Sequence, residues 1–199
     1  MADTRFEKEA FMNRILWLTL PCFALAGCNQ APPPPVDNAV ANSINAAEAE
    51  PTSAPITDAT TYLAKAGASD LFEIESSEAI AGKTSNPEIK AFAEMMVKDH
   101  TQSSAILQAA ARKARIITTA PALEPAQEQA LNRVKTANGV AADSAYLDAQ
   151  RTGHSEALAL HSGYAVGGDT EQLKAAANEI TPVIQHHIDQ LAKITIPGR

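Results

Sequence analysis

From Ile89 onward the chain returns to one face at alternating steps of four and three: Ile89, Ala93, Met96, His100, Ser103, Leu107, Ala110 and Ala114. A stripe of that period and length fits a long amphipathic helix packed on other elements. Asn86-Pro87 just before it is a start signal, a side-chain cap followed by a residue whose missing N–H is not needed there. A second stripe, Leu173, Ala177, Ile180, Ile184, His187, Leu191 and Ile194, has the same period. Asp169 is expected to cap that helix, with Gln172 completing a capping box, and Pro182 is expected to kink it. Residues 57–83 read as an earlier helix, with Leu63, Ala66, Ile74 and Ile80 on one side. A further helix is expected over about 140–166, closed by Gly167-Gly168, and Pro125 opens a short one ending near Asn138-Gly139. No two-residue alternation argues for strands. Short 1–2 and 3–4 links with a long 2–3 connection predict an all-α, up-down four-helix bundle with an extra short helix in that connection.

Composition agrees. Hydrophobic residues make up 45% of the 199 but aromatics only 5%, with Ala prominent, which suits closely packed helices better than sheets. A net charge of −7 and the lack of any basic tract argue against nucleic acid as a partner. Proteins, small molecules and cations remain.

The N-terminus reads as an address. Residues 15–26 form an apolar stretch preceded by Arg14, too short for a permanent span and laid out like a secretory signal. It ends Leu25-Ala26-Gly27-Cys28, which resembles the lipobox of bacterial lipoproteins; small residues at 26 and 27 fit a peptidase cleft, and the Cys28 thiol takes the lipid. Met12 is the better-placed start, which reads residues 1–11 as a misassigned beginning. The expected division is a signal peptide over 1–27, a lipidated Cys28 with a disordered Pro/Ala-rich tether over 28–56, and a bundle over 57–199. The tether holds six prolines and no aromatic residue, too little apolar surface to offset its ordering entropy. Asn29 after the Cys resembles the Gram-negative pattern that favours the outer membrane. A periplasm-facing, lipid-anchored envelope protein is the expectation. With the leader removed only one of the two cysteines is left, so neither an internal disulfide nor a Cys-rich metal site can form.

The polar residues on the inward faces are the candidate site. His100 and His187 occupy stripe centres, His154 falls on the inner face of the third long helix with Asp143, Gln150 and His161, and Glu73 points inward with Asp70 and Ser77. Buried charges and unpaired imidazoles are costly, so these groups should meet one another, water or a metal. Imidazole and carboxylate suit zinc, copper, iron or nickel, which makes Glu73, His100, His154 and His187 candidate ligands supported by Asp70, Asp99, Asp143, Gln150 and His161. A hydrogen-bonded Glu–His network that only fixes helix register is the competing reading. Counting residues from the helix ends, at 1.5 Å each, separates the levels of Glu73 and His100 by roughly 5 Å and those of His154 and His187 by about 8 Å. His154 and His161 are one heptad apart, too far to share an ion. No Glu-x-x-His motif of di-iron bundles occurs. Met95-Met96 hints at copper, but Met96 on an apolar stripe reads as core. No nucleophile in a plausible Ser/His/Asp order and no phosphate-binding Gly loop is found, so no catalytic residue is assigned.

Phe72-Glu73-Ile74-Glu75-Ser76-Ser77, the run Asn86 to Thr101 with its Phe-Ala…Met-x-x-Asp-His core, Asp143-x-x-Tyr146-Leu147, His154, and Pro182 with His187 five residues on resemble the Domain of Unknown Function 4142 family over about residues 57–194. The resemblance implies a ferritin-like helical bundle, often exported or lipid-anchored, with Glu73, Asp99, His100, Asp143, His154 and His187 at the family's polar positions. Ala142 stands where that family usually has Phe. The resemblance implies no activity. Two readings follow: a non-catalytic binding or stress-related envelope module presenting its bundle to a protein partner, or a metal-binding or redox-active bundle with an interior Glu/His site.

Overall fold

The structure is a computed structural model that describes residues 54–196, all within one compact unit spanning Glu50–Arg199. The signal stretch, Cys28 and most of the tether therefore lie outside the described residues. Five helices, and no strand among the described residues, make the chain all-α: α1 (Ala59–Ala81), α2 (Pro87–Ala114), α3 (Pro125–Thr136), α4 (Val140–Gly167) and α5 (Glu171–Leu191).

Local chemistry sets the helix ends. Asp58 caps α1 by accepting from Thr61 N at 2.7 Å. Asn86 caps α2, accepting from Glu88 N and Ile89 N at 2.9 and 3.4 Å, as the Asn-Pro pair predicts. α3 starts on a reciprocal box in which Glu124 and Gln127 each satisfy the other's backbone N–H. The capping box expected from Asp169 and Gln172 does not form. Thr170 is the N-cap of α5 and makes no side-chain cap bond. Asp169 is drawn away by tertiary partners: its Oδ1 accepts from Tyr164 Oη at 3.0 Å and Thr170 Oγ1 at 2.9 Å, and its Oδ2 from Ala59 N at 3.4 Å. α5 runs unbroken through Pro182, which is exposed like Asn178, the residue whose carbonyl it cannot bond.

α1 packs on α2 and α4, and α5 packs on the same two, so the long helices close a ring; α3 lies against α1 and α4. The core has two apolar clusters. Tyr62, Leu107, Tyr164, Leu173 and Ile180 belong to one, and Ile80, Ile89, Phe92, Met96, Tyr146, Leu147 and Leu191 to the other. Each long helix passes from one cluster to the other through buried polar residues: Asp70 and Glu73 on α1, His100 and Ser103 on α2, Gln150 and His154 on α4, His187 on α5. α1 and α5 cross this layer in one direction, α2 and α4 in the other. On α1, Leu63 and Ile74 turn out to be half-buried flanks; the inner face runs through Tyr62, Ala66, Asp70, Glu73, Ser77 and Ile80.

Candidate metal centre

Three of the four expected ligands converge. One nitrogen each of His100, His154 and His187 lie within 4.8 Å of one another, all three side chains buried. Their ring centroids are 5.6, 5.4 and 5.3 Å apart. Level counting from helix ends held His154 and His187 apart, yet His154 Nε2 stands 3.2 Å from His187 Nδ1. The count treats side chains as rungs perpendicular to the axis. They lean toward their own N-terminus, so in an antiparallel pair one leans away from the connecting loop and the other toward it, which closes the gap.

Hydrogen bonds on the far side of each ring decide which nitrogen faces inward. His100 Nδ1 donates to Asp70 Oδ1 at 2.8 Å, and Asp70 Oδ2 accepts from Ser104 Oγ at 3.0 Å. His154 Nδ1 donates to the Gln150 carbonyl at 2.9 Å, and His187 Nε2 to Asp99 Oδ2 at 3.1 Å. Carbonyls and carboxylates only accept, so these nitrogens carry the protons. What is left in the neutral rings is a lone pair on His100 Nε2, His154 Nε2 and His187 Nδ1. Two lone pairs at 3.2 Å repel unless a proton or a cation lies between them. Tying the outer imidazole nitrogen to a carboxylate or carbonyl is how proteins orient metal-binding histidines. Two nitrogens each 2.0–2.1 Å from a tetrahedral zinc ion stand about 3.3 Å apart, close to the 3.2 Å between His154 Nε2 and His187 Nδ1.

Glu73 is not part of this group. Its Oε2 accepts from Gln150 Nε2, which also donates to Ser76 Oγ at 3.3 Å, and its Oε1 lies 3.7 Å from His154 Nδ1, on the outer side of that ring. That approach is not an ion pair. Burial above all pushes the Glu73 carboxyl up to about 7, against the opposing pull of His100, and burial reinforced by His100 and His187 brings His154 down to about 3. Gly153 makes room for the carboxylate, since a Cβ there would sit 2.7 Å from Glu73 Oε1. Burial also lowers His187 to about 4, despite its bond to Asp99. His100 is the exception: burial disfavours its charged form, but the bond to Asp70 and the charges of Glu73, Asp70 and Asp99 outweigh that and raise it.

The supporting residues divide. Asp70, Asp99 and the Gln150 backbone hold the three rings. Asp143 is buried in the first turn of α4 outside the group, with Oδ1 unpartnered. His161, brought down to about 4 chiefly by burial, bonds Tyr62 Oη through Nδ1 at 2.8 Å, and Tyr62 stacks on Tyr164 at 3.8 Å between centroids. Sequence reasoning passed over Tyr62, Ser104 and Gly153. Tyr62 lies four residues before Ala66 on the inner face, and Gly153 is a glycine inside a helical pattern, which costs about 1 kcal/mol against Ala and so asks for a packing reason. Ser104, half-buried on the flank of α2, gave no signal.

The model of the family described as Domain of unknown function (DUF4142) matches residues 43–194, three quarters of the chain. No curated protein and no solved structure matches it significantly.

Proposed function

The chain belongs to the DUF4142 family, and we propose that it is a lipid-anchored envelope protein whose ferritin-like four-helix bundle binds one divalent transition-metal ion through His100, His154 and His187. One observation carries the metal reading: the far nitrogen of every ring is committed to an acceptor, so the near nitrogens of His154 and His187 meet as lone pairs, joined by that of His100 once its ring is neutral. A network that served register alone would place donors against acceptors, whereas His154 Nε2 and His187 Nδ1 oppose each other at 3.2 Å. An all-nitrogen set suits zinc, copper or iron and not the oxygen-seeking magnesium and calcium. The direction of the helices, with α2 parallel to α4 and α3 in the connection between them, supports the ferritin-like order. Leu25-Ala26-Gly27-Cys28 and the proline-rich stretch after it support the anchor and tether, and Asn29 supports the outer membrane.

The deciding experiment is thermal melting of metal-stripped protein with zinc, copper or iron added. Binding to the folded state alone stabilises by about 2.7 kcal/mol at a hundredfold excess over Kd. The wild type should gain melting temperature with at least one ion, and His100→Ala should lose that gain. No gain with any of the three would leave the buried histidines as a hydrogen-bonded network. A gain that survives in His100→Ala would place the ion elsewhere.

A further inference from the structure

Resting on that reading, the coordination set raises the question of what completes it. Structural zinc sites are closed by four protein ligands, whereas reactive ones hold three and keep a position for water or substrate. Each imidazole here is engaged on its far nitrogen and so supplies one donor. No fourth His, Cys, Asp or Glu among the described residues joins the group. Glu73, the carboxylate expected from the sequence as a fourth ligand, is held on the outer side of His154 by Gln150. A second observation points the same way. Among the described residues five buried side-chain polar atoms lack a hydrogen-bond partner, and four of them belong to this layer: Glu73 Oε1, His100 Nε2, Ser103 Oγ and Gln150 Oε1. Buried polar groups call for partners, and an ion at the nitrogens satisfies only His100 Nε2. Ser103 lies one turn beyond His100 on the same face of α2, so a hydroxyl remains on that side of the layer for a further polar guest.

We infer that an ion held by His100, His154 and His187 keeps one coordination position for a small exogenous oxygen or nitrogen donor, which makes it a reactive or ligand-sensing centre and not a structural one. The guest must be small, because the three rings are between 1% and 4% exposed. Water, hydroxide and two- or three-atom anions fit that description.

Cobalt(II) replaces zinc in nitrogen sites and reports its ligands through visible ligand-field bands. The test loads the full metal-stripped chain with cobalt and titrates it with sodium azide. The expected result is one cobalt per chain, with bands that shift saturably with azide in the wild type and in Glu73→Gln alike. Bands indifferent to azide in the wild type would overturn the inference, because the fourth position would then be closed. Azide sensitivity that appears only in Glu73→Gln would overturn it too, naming Glu73 as the fourth ligand. Failure of a different kind is separable: no cobalt uptake, or uptake unchanged in His100→Ala, removes the metal reading itself and this inference with it.

Discussion

Glu73 and three of the buried histidines, His154, His161 and His187, respond to acid in opposite senses. The folded carboxyl titrates near 7 against an ordinary 4.5, so as pH falls through that window the folded state takes up a proton that the unfolded state does not, and stability rises. His154, at about 3, and His161 and His187, at about 4, lie below the ordinary 6.5, so stability is present above 6.5 and declines as pH falls toward those values. His100, being raised, acts like Glu73: its contribution is present below 6.5 and is lost as pH rises through its folded value. Glu73→Gln isolates one of these contributions. In metal-stripped protein the variant should be the more stable relative to wild type at about pH 8, where Glu73 is a buried carboxylate, and that advantage should shrink toward about pH 5. Melting both proteins across this range checks it; a pH-independent difference would mean that Glu73 is not held up by burial. The outer partners give a second test. Asp70→Asn removes the charge behind His100, and loss of such a partner typically weakens metal affinity about 10–100-fold, readable by competition with a chromophoric chelator. Helical periodicity placed Glu73, His100, His154 and His187 inward because azimuth follows from 100° per residue. It could not separate Glu73 from the histidines, because side-chain lean and the claim of Gln150 on that carboxylate are not functions of spacing.

Helix starts and stops were legible where one residue decides them. Asn86-Pro87, Pro125 and Gly167-Gly168 work through local backbone chemistry, and each lies at a helix end. Asp169 was misread because its carboxylate has tertiary competitors. The start of α1 and the end of α4 come together around it, and Asp169 N also donates to Thr57 O at 3.0 Å. Lys83 is a similar case. It follows α1 in a plain turn, yet its Nζ donates to Val134 O at 3.1 Å, to Ala137 O at 3.0 Å and to Lys135 O, closing the C-terminal end of α3. Last-turn carbonyls have no helical partners, and a cation is favoured there. Lys83→Met should therefore fray α3 while costing the whole domain no more than about 1 kcal/mol, since the ammonium is exposed. Hydrogen exchange would show faster amide exchange over the last turn of α3 and little change in α2 or α5. Protection lost equally in all the helices would mean that α3 is a cooperative part of the core and not a strap across α1 and α4.

At the scale of the molecule, the polar layer lies between two apolar clusters, and each long helix supplies part of it. Such a layer is held from both sides, so its geometry depends on the whole ring of helices and not on any one hairpin. It also means that every group assigned to the site, from Asp70 on α1 to His187 on α5, lies within residues 59–191. If the N-terminal residues serve as address and tether, anchoring and metal binding are separable in one chain. Cys28→Ala should then move the protein out of the membrane fraction with its metal stoichiometry unchanged. Conversely, a chain beginning at residue 54 should be helical, melt cooperatively and take up the same ion with the same dependence on His100. Circular dichroism and metal analysis of the two variants make the comparison. A shortened chain that folds but no longer takes up the ion would show that the first 53 residues lend a ligand, and would move the fourth coordination position from an exogenous guest to a group of the chain itself.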